Sequence, residues 1–244
     1  MSSQSAVISP STPKRWSFWR RCVYEFFALT FPPIFKRLFK VKIYGLENVP
    51  PEGQGVILAA NHVSFLDGFL VPISLIPPRR NLFFAGAEDV FNKPYFRWVK
   101  LAGGLIVRPA KSKKILGSMR SAKGVYFLVT LLKDGSAVLF FPEGKRSSKG
   151  FLPPKVGVGW TAHLSRVPVL PVYLDGVKQA FPLGTWKIRF GSRLRIIFGD
   201  PIPLEKYYNL PLAKETSQKI AAKVMQEIIK LKEKLQRCIF EVEN

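Results

Sequence analysis

His62 stands five residues before Asp67 in the run Asn61-His62-Val63-Ser64-Phe65-Leu66-Asp67-Gly68. A histidine whose proton position is fixed by a carboxylate is a general base suited to neutral pH. Spacing alone does not bring the two together, because five residues on a continuous helix turn the side chains about 140° apart. They meet if the apolar strand before them ends near Ala60, His62 occupies a turn, and a helix starts near Ser64. Asp67, one turn inside that helix, then reaches back to the ring, at a place where the helix dipole favours a carboxylate. One ring nitrogen would keep its proton against Asp67 and the other would be free to accept one. No Gly-x-Ser-x-Gly elbow supplies a nucleophile, and Ser64 reads as a cap or a positioning residue. Such a pair suits the activation of a substrate hydroxyl. Taken alone, the run fits a buried histidine satisfied by a local carboxylate equally well.

Two further loops carry groups that suit an anion. Phe141-Pro142-Glu143-Gly144-Lys145-Arg146-Ser147 follows the apolar run 137–141, and α/β sheets bind ligands at the carboxyl ends of their strands. It offers a carboxylate at Glu143, a flexible backbone at Gly144, and cations at Lys145 and Arg146. Gly103-Gly104-Leu105-Ile106-Val107-Arg108-Pro109 places Arg108 directly after a short strand. A guanidinium there suits bidentate phosphate contact.

The composition agrees with an anionic partner. Against 38 Lys and Arg stand 16 Asp and Glu, a formal net charge of +22 over 244 residues. Nucleic acid, acidic lipid or a phosphorylated substrate would balance it. No nucleic-acid motif is recognisable, and the clustered aromatics described below favour lipid. Cys22 and Cys238 lie near opposite ends of the chain, without metal-type spacing or a disulfide framework, as fits a reduced compartment. With only two histidines no structural zinc site is expected. No run reaches the roughly 18 uncharged apolar residues of a spanning helix. The nearest, Cys22 to Phe35, contains Glu25 and Pro32-Pro33 and lacks a signal-peptide cleavage site.

The elements that must position these loops divide the chain at residue 40. Residues 1–13, rich in Ser, Thr and Pro, read as a mobile tail. From Trp16 to Phe39 aromatics and cations interleave, and two helices are expected, about 14–30 and 33–40, broken at Pro32-Pro33. Rings favour the headgroup level of a bilayer and Lys and Arg its anionic heads. Residues 1–40 are therefore read as tail and interfacial membrane anchor, with Trp16, Trp19, Arg20, Arg21, Phe26, Phe27 and Phe31 in contact with lipid. A helical hairpin buried against the core or a partner is the alternative.

From residue 41 to 244 short apolar strands alternate with helices, which indicates an α/β layer fold with a mostly parallel or mixed central sheet flanked by helices. Strands are expected at 42–44, 56–60, 82–84, 106–107, 137–141 and 169–174. A hairpin is expected from 187–190 and 194–198 about Gly191-Ser192-Arg193. Helices are expected at 64–75, in part of 88–101, at 112–133, near 157–165 and at 211–237. Ile220, Val224, Ile228, Leu231 and Leu235 mark the packed face of the last one. His163 falls on a helix and reads as structural.

Four blocks in this order resemble the glycerophospholipid acyltransferases, and more closely the bacterial 1-acylglycerol-3-phosphate acyltransferases. They are Asn61-His62 to Asp67-Gly68, Gly104 to Arg108, Phe141 to Ser147, and Val167-Pro168-Val169-Leu170-Pro171-Val172. Together they span about residues 40 to 200. The resemblance implies transfer of an acyl group from a thioester to lysophosphatidic acid, giving phosphatidic acid. His62 would deprotonate the second glycerol hydroxyl, and Asp67 would orient His62. Arg108, Glu143, Gly144 and Arg146 would organise the glycerol phosphate, and Pro171 would lie where the acyl donor binds. Lys145 departs from the threonine usual in the third block and adds a cation. Backbone N–H groups at the start of the helix after His62 would serve the oxyanion. No bound cofactor or metal is implied, since an acyl carrier protein or coenzyme A thioester is already activated. Lys111, Lys113 and Lys114 suit lipid phosphates, an acidic acyl carrier or simply solvent. The implied place of action is the cytoplasmic face of the cell membrane, as a monotopic protein on a phospholipid surface and without nucleic acid. The sequence sets no oligomeric state. Acylation of glycerol 3-phosphate or another lysolipid, or a non-catalytic basic membrane-binding protein, are the rival readings.

Overall fold

A computed structural model describes residues 29–75, 82–85, 105–107, 117–185 and 187–243. At its centre is β2 (Val56–Ala60), all five residues of which are buried. A strand covered on both faces is a continuous apolar run, and Val-Ile-Leu-Ala-Ala is one. β5 (Ala137–Phe140) and β6 (Val169–Asp175) flank β2, both parallel to it, with Leu58 opposite Leu139 on one side and Leu170 on the other. Outside β5 lie β3 (Leu82–Ala85) and β4 (Leu105–Val107), also parallel. Outside β6 lies β7 (Arg195–Phe198), antiparallel, and then β1 (Lys42–Tyr44), parallel to β7. The order is β1-β7-β6-β2-β5-β3-β4, a mixed sheet.

Each face of this sheet has its own cover. Leu58, Ala60, Leu139 and Val172 meet Leu70, Val71 and Ile73 of helix α2 (Asp67–Ser74), together with Phe35 of helix α1, described over residues 29–38, and Phe39 in the turn that follows it. On the other face, Ile57, Ala59 and Val138 meet helix α3 (Gly117–Lys133), α4 (Gly157–Ser165) and the long α7 (Lys214–Glu243). Two short helices, α5 (Val177–Ala180) and α6 (Glu205–Tyr208), sit in the connections after β6 and β7. The expected seam of α7 is the buried one: Ile220, Val224, Ile228 and Leu235 join the core. Backbones of α4 and α7 touch, since a Cβ on Gly159 would stand 2.0 Å from the Ser217 carbonyl oxygen. Lys223, Glu227 and Lys230 form ion pairs on the outer side of α7.

Two expectations are corrected. Residues 187–190 form no strand, and the hairpin with 194–198 is absent. β7 inserts instead between β6 and β1, where Ile196 and Phe198 are buried and Arg195 pairs with Asp175, directly opposite, at 2.8 Å. The Gly191 N–H that would have served a hairpin turn goes to the Leu38 carbonyl, 2.8 Å away. Nor does Pro32-Pro33 break the helix: residues 29–38 are helical through both prolines. Proline removes its own N–H donor, but Phe35 and Phe39, one turn apart and 5% and 3% exposed, clamp this helix to the core. Their rings lie 4.7 Å apart.

Phe31, Ile34 and Leu38 lie on the outer side of α1 and are exposed. Trp16, Trp19, Arg20, Arg21, Phe26 and Phe27 lie outside the described residues, as do residues 14–28 of the helix expected at 14–30 and the helix expected in part of 88–101. Among the described residues no helix is long and apolar enough to cross a membrane.

Candidate active site

Because β2 and β5 are parallel neighbours, the loops that leave their carboxyl ends emerge side by side. The first begins with Asn61, whose side-chain amide accepts from Leu174 N–H (2.7 Å) and donates to Leu174 C=O (3.1 Å). It thereby continues the β2–β6 ladder with a side chain in place of backbone. His62 comes next, just past the end of the strand, and α2 starts five residues later at Asp67.

The expected turn between strand and helix is present, with one adjustment. Asp67 is the first residue of α2 and not one turn inside it. The reason is in its hydrogen bonds. Oδ2 accepts from the N–H groups of Val63 (2.7 Å) and Ser64 (2.8 Å) and contacts His62 Nδ1 at 2.8 Å. The backbone at 63–64 turns its N–H groups in to this one oxygen, so the chain makes a turn before the helical hydrogen bonds begin at the Leu66 carbonyl. Ser64 Oγ adds a local bond from Leu66 N–H and donates to the Phe181 carbonyl. Asp67 is fully buried, and its Oδ1 has no hydrogen-bond partner among the described residues. Oδ2, held by two backbone donors, can only accept from the ring. That fixes the His62 proton on Nδ1 and leaves Nε2 as the acceptor.

The second loop holds the first in place. Glu143 is 2% exposed, and its Oε1 accepts from the His62 N–H (2.9 Å) while Oε2 accepts from Leu152 N–H (2.8 Å). Ser147 N–H donates back to the His62 carbonyl at 3.0 Å. Phe141 stacks on the imidazole, centroids 3.9 Å apart and planes 14° from parallel. A developing imidazolium would thus lie against a π face. Gly144 turns the loop with φ 68° and donates to the Phe141 carbonyl; the Lys155 side chain passes so close that a Cβ at Gly144 would meet it at 2.7 Å. Burial pushes the Glu143 carboxyl above its ordinary value, against the pull of its two backbone donors. Protonation would turn one of its acceptor oxygens into a donor facing an N–H. Glu143→Gln has the same effect at any pH. It should lower kcat about 10–100-fold, the equivalent of a disturbed buried hydrogen bond, with KM for the acceptor nearly constant. A rise in KM alone would make Glu143 a substrate contact.

Around this centre the side chains of Lys145, Arg146, Lys149, Lys155 and Lys178 are exposed. Lys178 Nζ donates to the Ser148 carbonyl at 2.7 Å and closes the third loop, after β6, onto the second. The setting is cationic, and the carboxylates inside it are committed to protein donors. Among the described residues no group of three His, Cys, Asp or Glu gathers where a metal ion could be held.

The structure therefore brings together His62, Asp67, Glu143, Gly144, Lys145 and Arg146. Arg108 lies outside the described residues. Pro171 belongs elsewhere: it is buried on β6 with its ring against Gly199, on the face shared with Val169 and Tyr173 and opposite to α2. Of the backbone N–H groups between His62 and α2, those of Val63 and Ser64 are spent on Asp67. Sequence reasoning missed the parts played by Asn61, Phe141, Lys155 and Lys178, of which the first two at least lay inside recognised runs. His163 is structural as expected, with Nε2 3.1 Å from the Leu210 carbonyl.

Comparison with known proteins follows the same residues. A family model described as Acyltransferase matches residues 40–175. The chain is 31% identical over 186 residues to the 1-acyl-sn-glycerol-3-phosphate acyltransferase BAT2, chloroplastic, of Brassica napus, covering 75% of this chain and 52% of that one. It is 23% identical over 216 residues to the 1-acyl-sn-glycerol-3-phosphate acyltransferase of Bacillus subtilis, covering 87% and 98%. The chain spans about half the length of the chloroplastic relatives it matches. The crystal structure of the 1-acyl-sn-glycerophosphate (LPA) acyltransferase PlsC from Thermotoga maritima has the same fold, with TM-score 0.62 at 22% identity over 87% of this chain and 81% of that one.

Proposed function

Because the chain belongs to the acyltransferase family, whose model covers more than half of it, we propose that it moves a fatty acyl group from a thioester to the second hydroxyl of 1-acylglycerol 3-phosphate, forming phosphatidic acid. The observation that carries this reading is the His62 ring, its Nδ1 bound to buried Asp67 at 2.8 Å and its side chain 20% exposed. The names of the relatives supply the acceptor.

In this reading His62 Nε2 takes the proton of the acceptor hydroxyl as its oxygen attacks the thioester carbonyl carbon. Asp67 holds the ring and stabilises the imidazolium. The tetrahedral adduct collapses, the C–S bond breaks, and the thiolate sulfur recovers the proton from Nε2. One ester is formed and one thioester lost, with no net proton. No nucleophile from the protein is required, so the reaction proceeds through a single complex of both substrates. Glu143 acts as a positioning residue through the His62 backbone. Arg146, next to the Ser147 that anchors His62, grips the acceptor phosphate, with Lys145 as a neighbouring cation and Arg108 as a further one. The acyl donor is an acyl carrier protein or coenzyme A thioester. The chain works at the cytoplasmic face of the membrane, as a monotopic protein whose residues 1–40 reach the lipid.

A panel of acceptors and donors, read by product mass, tests the whole reading. Phosphatidic acid from lysophosphatidic acid is expected; product from glycerol 3-phosphate alone would move the chain to the rival acceptor. Within that panel, Arg146→Ala should raise KM for lysophosphatidic acid roughly 10–100-fold, the loss of a charge-assisted contact. An uncharged lysolipid should lose little. Equal losses on both would remove the phosphate role from Arg146.

A further inference from the structure

The segment that fails to form the expected hairpin has a use the fold alone does not explain. Ile188 and Phe190 are 43% and 64% exposed. They alternate with Lys187 and Arg189, also exposed, and Arg193 follows after the turn. A stretch with strand-type alternation and no pairing partner would ordinarily present its polar residues to water. Here both kinds of side chain point outward.

The position of this segment is fixed at both ends. On one side, Gly191 N–H donates to the Leu38 carbonyl, Leu194 N–H donates to the Phe39 carbonyl, and the Phe190 ring lies 5.6 Å from that of Phe39. It therefore abuts the end of α1, whose outer side carries Phe31, Ile34 and Leu38, all exposed. On the other side, Arg189 N–H donates to the Ala180 carbonyl, and the next residue, Phe181, accepts from Ser64 Oγ and meets the Phe65 ring edge-on at 6.4 Å. The surface runs from α1 to the loop that holds His62.

Charge selects the occupant. From Gly176 to Gly199 there is no acidic residue, and none from Leu29 to Leu46. Cations interleaved with outward apolar side chains, and no acids, match an anionic bilayer, where rings enter the acyl boundary and Lys and Arg meet the heads. An acidic protein would be met by the cations but leaves Phe190 and Ile188 without a solvent to enter. We propose that residues 187–193 form a second membrane-contact element, seated beside α1, which inserts Ile188 and Phe190 among lipid chains and sets Lys187, Arg189 and Arg193 against anionic headgroups. The proposal deepens the reading of the chain as an enzyme of lipid-borne substrates, and it gives the His62 loop a fixed height above the bilayer.

The test uses the full chain and sedimentation with two kinds of vesicle, phosphatidylcholine alone and phosphatidylcholine with phosphatidylglycerol. Ile188→Ser with Phe190→Ser should reduce partitioning to both at least about tenfold. Because Phe190 also touches Phe39, a second variant leaves that contact alone: Lys187→Glu with Arg189→Glu. It should lower partitioning to the anionic vesicles alone, by about fivefold or more per cation. Turnover of a short-chain, water-soluble lysophosphatidate should be unchanged in both variants, which separates lost docking from lost folding. Unchanged partitioning in both would overturn the proposal. So would loss of a dimer on gel filtration with partitioning intact, which would assign the patch to a second copy. A raised KM for an acyl carrier protein thioester with partitioning intact would likewise assign it to the carrier. If the wild-type chain fails to turn over the soluble lysophosphatidate, the acyl-transfer reading falls while the partition result still decides this surface.

Discussion

Asp67→Asn should fold like the parent chain and lose about 10²–10³-fold in kcat/KM, whereas Asp67→Ala should lose activity and stability together. The difference comes from Oδ2. Two backbone N–H groups and Nδ1 converge on that one oxygen, and Oδ1 has no partner among the described residues. An asparagine can put its carbonyl where Oδ2 is and its amide where Oδ1 is, so the cradle, the ring orientation and the Nδ1 proton survive. Only the charge opposite the imidazolium is lost. At about 4 Å in an effective dielectric of about 20, that charge is worth about 4 kcal/mol before solvent and relaxation reduce it, which sets the upper end of the loss. Alanine leaves the Val63 and Ser64 donors without an acceptor, at about 1–3 kcal/mol each, and frees the ring as well. Steady-state kinetics with chemical denaturation of both variants checks this. An asparagine variant as unstable as the alanine variant would mean that the loop does not depend on Oδ2 in this way.

His62→Ala should lower acyl transfer by about 10³–10⁴-fold, the upper range for loss of a general base. The fold and vesicle binding should persist. The His62 ring is stacked on Phe141 beyond the carboxyl end of β2, with its side chain 20% exposed. Its backbone contacts to Glu143 and Ser147 do not involve the side chain. Near-normal turnover with the ring removed would end the reading of His62 and Asp67 as a catalytic dyad, whatever the fate of the family assignment.

What the sequence made legible was mostly local. The five buried residues of β2 are an unbroken apolar run, and the five-residue gap from His62 to Asp67 demanded a turn that the structure contains. Partner choice over long distance was not legible. Lys187 to Phe190 alternates as a strand should, and nothing nearby states that the Gly191 N–H will serve Leu38. Glu143 illustrates a second limit. A carboxylate beside two cations suits a substrate site, yet both of its oxygens turn inward to backbone donors, a choice set by the approach of two loops and not by residue type. Pro171 illustrates a third. Residue parity along β6 puts it with Val169 and Tyr173, but parity becomes usable only once the faces of the sheet are assigned.

The edge strand β1 has a consequence in time. Lys42 is paired with Arg195, and the same edge joins α1 to the core through Phe39 and Leu194. The first strand to leave the ribosome therefore waits for the last one. At about 5–20 residues per second that interval is about 8–30 s. Throughout it Phe35 and Phe39 lack Leu194, Ile196 and Phe198, buried members of the same core cluster. The side of α1 that the finished fold buries, with Phe35 and Phe39, therefore stays uncovered until the last strand of the sheet has been made.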